Sequence, residues 1–297
     1  MFERVLAATD MLGACDAAVI TALEIAKQNK GRLSVIHVLE PSYFHECGPL
    51  ETVKDFKTGK ETAASYEYKE AVKQELDKKC AGALTPYGNY QIDISYGRPS
   101  IEIRRWARKF GAELIVLGPH AGLTEEEEKA LIGLPIGDTV EDVIMNTTTP
   151  VMIVGRLIPN EKLNFKKIMV SVDFSKSCKI ACEFAAKLAQ KYGSKLFLFH
   201  MVVHPGPETA ASEKTIREFY KVPEGIESEY GIHKGTEPYW GILNYAREKN
   251  VDLIVMGSRT KERVEKGYVG SAVEIVSAES SCPVAVVTHP DALVKMR

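Results

Sequence analysis

The chain has 297 residues, 45% of them hydrophobic and 26% charged, with a formal net charge of −2. That length allows two domains of ordinary globular composition, and the near-neutral charge argues against nucleic-acid binding, which needs clustered cations. No apolar run reaches the roughly 18 residues of a membrane-spanning helix, and the opening MFERVLAATD has charges at Glu3 and Arg4 where a secretory signal would be apolar, so a cytoplasmic protein is expected.

In chain order, strands are predicted at 4–9, 32–38, 91–96, 113–118 and 151–155, each a short Val/Ile/Leu-rich run of the kind buried on both faces in a parallel sheet. Helical stripes lie between them. Val19, Ala22, Leu23 and Ala26 form one, a long helical segment is expected over 62–84, and Ile103, Trp106, Ala107 and Phe110 form another at i, i+3, i+4, i+7. The order then repeats. RVLAATD (4–10) matches KIMVSVD (167–173), and GRLSVIHV (31–38) matches SKLFLFHM (194–201), aligning His37 with His200, both at an offset of 163. ELIVLG (113–118) matches DLIVMG (252–257) at 139, and TTPVMIV (148–154) matches SCPVAVV (281–287) at 133, so the second copy is shorter by 24 and then by 6 residues. Ile242, Tyr245 and Ala246 repeat the second stripe, and the spacer after the second strand keeps only a shorter helix among three prolines. Domains are therefore expected at 1–156 and 167–297, joined by a polar linker at 157–166.

Alternating strands and helices imply right-handed crossovers and two doubly wound parallel sheets. Such sheets bind ligands beyond the carboxyl ends of their strands, which is where Asp10, Asp173, Gly118 and Gly257 fall. The six cysteines contain no C-x-x-C pair and read as small packing residues in a reduced compartment; Cys178 and Cys182 share one helix face. His45 and Cys47 are two candidate ligands in a polar loop, too few to predict a metal site.

The stretch VDLIVMGSRTKERVEKGYVGS (251–271) carries the chemistry. Gly257 lacks a Cβ, so a ligand can approach its backbone. Gly270 and Ser271 open a helix whose first N–H groups can meet a phosphate at the positive end of the dipole. The loop between holds four basic residues, Arg259, Lys261, Arg263 and Lys266, against Glu262 and Glu265. A plain connection also needs a turn, and serine is a common helix cap, so the pattern alone leaves both readings open.

Asp173, IVMGS (254–258), Gly270-Ser271 and CPVAVV (282–287) resemble the universal stress protein family, whose nucleotide motif is G-x2-G-x9-G-[ST]. The first copy resembles it through Asp10, Gly97-x-Pro99, LIVLG and TTPVMIV, so the likeness covers nearly the whole chain. It implies two tandem Rossmann-like domains that bind ATP or AMP, with or without Mg²⁺. It also implies pairing through the last strand and a regulatory part in stress tolerance, with catalysis slow or absent. Carried over, Val172 and Asp173 meet the adenosine, the Met201 backbone meets the adenine edge, and Gly257, Arg259, Gly270 and Ser271 surround the phosphates, with Met256, Thr260 and Ala272 completing the set. Thr260 replaces the motif's second glycine, which either weakens the site or lends it a hydroxyl.

The first copy departs further. Its counterpart site (Asp10, Val38, Gly118, His120, Gly137, Asp138) is expected to be weak or lost. Ala121 replaces the second glycine, six residues are inserted, and Asp138 stands where the second copy has Ser271. An aspartate there is expected to cap the helix and repel phosphate, and Glu125–Glu128 outnumber Lys129 in the insertion. Two rivals stay open: a non-nucleotide small-ligand binder or scaffold of the same fold, and a slow ATPase. The S-G-G-x-D-S and G-x-x-x-x-G-K-[ST] patterns of ATP-cleaving enzymes are absent, and His120, the nearest base, reads as a solvated loop residue. The apolar last strands invite pairing, either with each other as an internal pseudo-dimer or, in addition, between chains as a homodimer.

Overall fold

In RVLAA (Arg4–Ala8, β1) every residue after Arg4 is buried, as in a strand covered on both faces. The computed structural model describes residues 1–41, 52–55, 58–122, 134–203, 213–258 and 270–294. After β1 come α1 (Gly13–Gln28), β2 (Arg32–Leu39), β3 (Thr52–Lys54), β4 (Glu61–Ala63), α2 (Tyr66–Leu84), β5 (Tyr90–Tyr96), α3 (Pro99–Phe110), β6 (Leu114–Leu117), α4 (Asp138–Asn146) and β7 (Val151–Ile153). The second half gives β8 (Lys167–Ser171), α5 (Lys176–Tyr192), β9 (Lys195–Val202), α6 (Glu213–Phe219), β10 (Ser228–Lys234), α7 (Pro238–Glu248), β11 (Leu253–Gly257), α8 (Ser271–Glu279), β12 (Val284–Val287) and α9 (Asp291–Val294).

Each half is a doubly wound parallel sheet, and the two halves share one ten-stranded sheet of order β10-β9-β8-β11-β12-β7-β6-β1-β2-β5. Within each half the order reverses between the first and fourth strands, β1 beside β6 and β8 beside β11. That reversal is the switch point at which doubly wound sheets open a crevice. The halves join through their last strands. β7 and β12 pair antiparallel, with Val151, Met152 and Ile153 opposite Val286, Ala285 and Val284. The apolar strands read as edges are therefore central, and Thr288 Oγ1 donates across the join to the Thr147 carbonyl at 3.2 Å.

One helical layer (α1, α2, α5, α6) and another (α3, α4, α7, α8) cover the two faces with separate apolar clusters. Each fully buried Leu, Ile or Val in them contributes about 1.5–3 kcal/mol. Local rules set the helix ends: Pro99 and Pro238 occupy first turns, Ser175 accepts from the Cys178 N–H at 3.1 Å, and Gly111 and Gly193 close α3 and α5 at positive φ. The segment between the halves is not simply polar: Leu163 and Phe165 in it are fully buried. A two-stranded hairpin, β3 with β4, precedes α2 where the sequence suggested helix from residue 62. It is too short for an alternating pattern to declare itself.

Candidate functional site

In the second domain β8 ends at Ser171, and the chain turns sharply into α5. The Asp173 carboxylate accepts the Ser175 N–H at 3.0 Å, an Asx turn. Between them Phe174 sits at φ 61°, a left-handed conformation that costs a bulky residue about 1–3 kcal/mol. Its ring centroid lies 4.6 Å from that of His200 and 5.3 Å, edge-on, from that of Phe219 on α6. The Val172 N–H donates to the Phe199 carbonyl at 2.7 Å, and His200 Nδ1 donates to the Val172 carbonyl at 2.7 Å. A carbonyl only accepts, so Nδ1 carries the hydrogen and the imidazole serves to brace the turn.

Gly257 ends β11 opposite Val287. A Cβ there would lie 2.5 Å from the Ser177 carbonyl carbon and 2.6 Å from the Cys178 nitrogen. Its glycine is thus required by the close approach of α5 to the strand, a packing reason separate from any room it leaves for a ligand. Met256 is buried beside it, and the Met201 side chain is directed at α7, where Gly241 would bring a Cβ within 2.7 Å of its sulfur. Because β11 and β12 run parallel, the start of α8 returns to the carboxyl end of β11. There Gly270, at φ 107°, is the helix N-cap, and among the described residues nothing lies within 4 Å of an added Cβ. Ser271 and Ala272 are the first two residues of α8, so Ser271 is not the cap. Among the described residues no side chain accepts from the N–H groups of Ser271 or Ala272. Arg259 and Thr260, with the rest of the basic loop, lie outside the described residues, as do His45, Cys47 and Glu125–Glu128.

The first domain repeats this frame with a different outcome. Met11, at φ 69°, is the counterpart of Phe174, and Asp10 Oδ1 accepts the Leu12 N–H at 2.9 Å. The other carboxylate oxygen accepts the Gly122 N–H at 2.6 Å, which ties the loop after β6 onto the aspartate. That loop is also held by His120 Nε2 donating to the Pro135 carbonyl at 2.8 Å and by the Gly137 N–H donating to the Pro119 carbonyl at 2.9 Å. His37 Nδ1 donates to the Thr9 carbonyl at 2.8 Å; burial pushes its pKa below the usual 6.5, against the opposing pull of that carbonyl and of Asp10. Asp10, Val38, Gly118 and His120 come together around a recess of about 90 Å³, whereas Gly137 and Asp138 do not line it. Asp138 is also not a cap: Gly137 holds that position, and Asp138 is the first helical residue. Its charge stays in the first turn, but the amides are not taken by its side chain.

Both domains put a carboxylate in the first turn of the last helix, Glu141 and Glu274, and burial first, then the Glu141 charge, raise the Glu274 pKa. Sequence reading missed the strained Met11 and Phe174, because neither is a residue that announces positive φ. It also missed that His200 and His204 stand at H-x-x-x-H spacing. His200 is on β9, and His204 lies outside the described residues. Among those residues no group of three or more His, Cys, Asp or Glu is placed to hold a metal, and no helix is long and apolar enough to cross a membrane.

Two doubly wound domains, each presenting an aspartate and a glycine at the carboxyl edge of its sheet, define a tandem α/β protein. The chain belongs to the universal stress protein family, whose model matches residues 1–155 and 164–288. It is 31% identical over 155 residues to a universal stress protein of Methanocaldococcus jannaschii, spanning 46% of this chain and 91% of that one. It is 28% identical over 151 residues to one of Bacillus subtilis, spanning 41% and 99%. A universal stress protein from Archaeoglobus fulgidus shares the fold along 97% of both chains, at a TM-score of 0.66 and 23% identity.

Proposed function

We propose that the second domain binds an adenine nucleotide, ATP or AMP, with or without Mg²⁺, and that the protein acts as a nucleotide-responsive regulator in stress. The start of α8 carries this reading. A glycine N-cap brings no side-chain acceptor, and it is followed by Ser271, so first-turn amides and a hydroxyl are at hand for a phosphate. On this reading Asp173, Val172 and the Met201 backbone, at the neighbouring strands β8 and β9, meet the nucleoside, and Met256, Gly257 and Ala272 join the set by their motif positions. Arg259 and Thr260 join them by motif spacing alone. The first domain has the same glycine cap, Gly137, but Asp138 holds a negative charge where Ser271 stands, and the Gly122 N–H ties the loop after β6 to Asp10.

The reading takes 1–156 and 167–297 as the domains, 157–166 as the linker, and the β7–β12 ladder as an internal pseudo-dimer; a cytoplasmic protein is consistent with it. Native mass spectrometry and calorimetric titration test it. One ATP or AMP per chain, lost in Gly270→Glu, is the expected result. Unchanged binding by Gly270→Glu, or none by the wild type with ATP and Mg²⁺, would overturn it in favour of a non-nucleotide binder.

A further inference from the structure

At the amino end of the first-domain sheet, opposite its ligand edge, a groove of about 910 Å³ opens between α2 and α3. Arg4, Arg32 and Tyr90, the first residues of β1, β2 and β5, line it with Trp106, Lys109 and Phe110 of α3. The second domain supplies the comparison. Its Lys195, the counterpart of Arg32, pairs with Glu227 at 3.0 Å and with Glu229 at 2.9 Å, and Glu229 also pairs with Lys249 at 2.9 Å. By register, Asn89 and Gln91 stand in the first domain where Glu227 and Glu229 stand in the second. The Leu33 N–H donates to the Asn89 carbonyl just as the Leu196 N–H donates to that of Glu227. Both carboxylates have thus become amides. The Gln91 amide donates to Asp93 at 2.9 Å and to Ser34 Oγ at 3.4 Å, and the Asn89 amide donates to the Gly31 carbonyl at 2.7 Å. Arg32 keeps its charge 6.0 Å from the centroid of the Phe110 ring, and Lys109 keeps its own 4.3 Å from that of Trp106. Among the described residues no carboxylate pairs with either cation.

We propose that this groove binds a monocarboxylate with a flat apolar body. Its carboxylate takes, between Arg32 and Lys109, the place that Glu229 fills between Lys195 and Lys249. A guanidinium presents a planar fork of donors that matches both oxygens of a carboxylate. The limit of one charge follows from the rest of the lining. Asp93 on β5, and Glu70 and Asp77 on α2, would repel a dianion such as a phosphate monoester, and only Lys73 opposes them on the α2 bank. Asp93 accepts from Gln91, and Asp77 accepts from the Tyr90 hydroxyl at 3.1 Å; neither pairs with a cation among the described residues. Arg4 is already held by Glu113 at 2.9 Å. The flat apolar body follows from Tyr90, Trp106 and Phe110, which bring aromatic surface to the same groove. Its volume lies within the roughly 300–1,000 Å³ of sites that take small organic ligands. The groove and the nucleotide site lie in different domains, so each reading stands without the other.

NMR of the full chain, read at the Arg32 Nε–H and the Trp106 indole N–H, tests it with benzoate, benzamide and phenyl phosphate. Benzoate should give saturating shifts at both positions. Benzamide, of the same shape without the charge, should give none at equal concentration, and phenyl phosphate should bind more weakly than benzoate. Gln91→Glu installs the second domain's carboxylate, which Asp93 repels and Arg32 attracts. It should weaken benzoate binding about tenfold or more by occupying the same place. Arg32→Gln, read at Trp106, is the second variant and should lose binding to a similar extent. Absent or non-saturating shifts with benzoate would overturn the proposal. So would equal binding of benzamide or phenyl phosphate, or full benzoate affinity in folded Gln91→Glu or Arg32→Gln. ATP titrated in the same sample reports at the amides of Val172 and Val273, so failure of the nucleotide reading shows separately.

Discussion

Replacing Gly257 by alanine asks whether that glycine serves a ligand or the fold. The added Cβ would sit 2.5 Å from the Ser177 carbonyl carbon, 2.6 Å from the Cys178 nitrogen and 2.7 Å from the Ser177 oxygen, all backbone atoms that no rotamer change can move. Helix α5 would have to retreat by roughly 1 Å to restore ordinary carbon contact. It cannot do so freely, because Cys178, Ala181, Cys182, Phe184 and Ala185 on it are buried against the sheet. Overpacking of this kind costs about 1–3 kcal/mol, which for a domain of this size lowers the melting temperature by roughly 3–12 °C. Scanning calorimetry of the full chain without nucleotide is the assay. A Gly257→Ala transition within about 1 °C of the wild type, with nucleotide affinity lost instead, would refute the packing argument and return the glycine to the ligand.

Other outcomes follow from the same geometry. His37 is harder to protonate in the folded chain, so its contribution to stability is complete above about pH 6.5 and is lost as pH falls through its lowered folded value. His37→Asn, which keeps a donor for Thr9, should flatten the fall in melting temperature between about pH 7 and about pH 5 relative to the wild type. Asp10→Ala should free the Gly122 N–H and raise its hydrogen-exchange rate about tenfold or more, with exchange at Gly118 as an internal reference. Val286→Pro removes an N–H from the join between the halves and should expose the segment at 157–166 to limited proteolysis, where the wild type resists.

The sheet was legible because strands buried on both faces are written as unbroken Val/Ile/Leu runs, and the repeat fixed their correspondence. RVLAA and KIMVS could hardly be other than the same strand twice. Less legible was whatever depended on what an atom faces. Gly257 looked like a ligand position because nothing in the sequence says that Ser177 lies against it. Asp138 looked like a cap because a shift of one residue, invisible in one dimension, separates a cap from a first turn. Left-handed Met11 and Phe174 were hidden for a related reason. Tertiary contacts, not residue type, hold them there, and the Phe174 ring is braced by His200 and Phe219, one on a strand and one on a helix far along the chain.

The antiparallel join of β7 and β12 inside otherwise parallel halves turns the two carboxyl edges to opposite ends of one slab. In an assembly of identical chains paired this way, any substitution at one pocket is copied into the other. Fusing the copies breaks that bond. Val38 and Met201, or Asp138 and Ser271, were free to drift apart while the shared seam held the body together. Each end of the slab therefore carries its own set of residues on one continuous sheet.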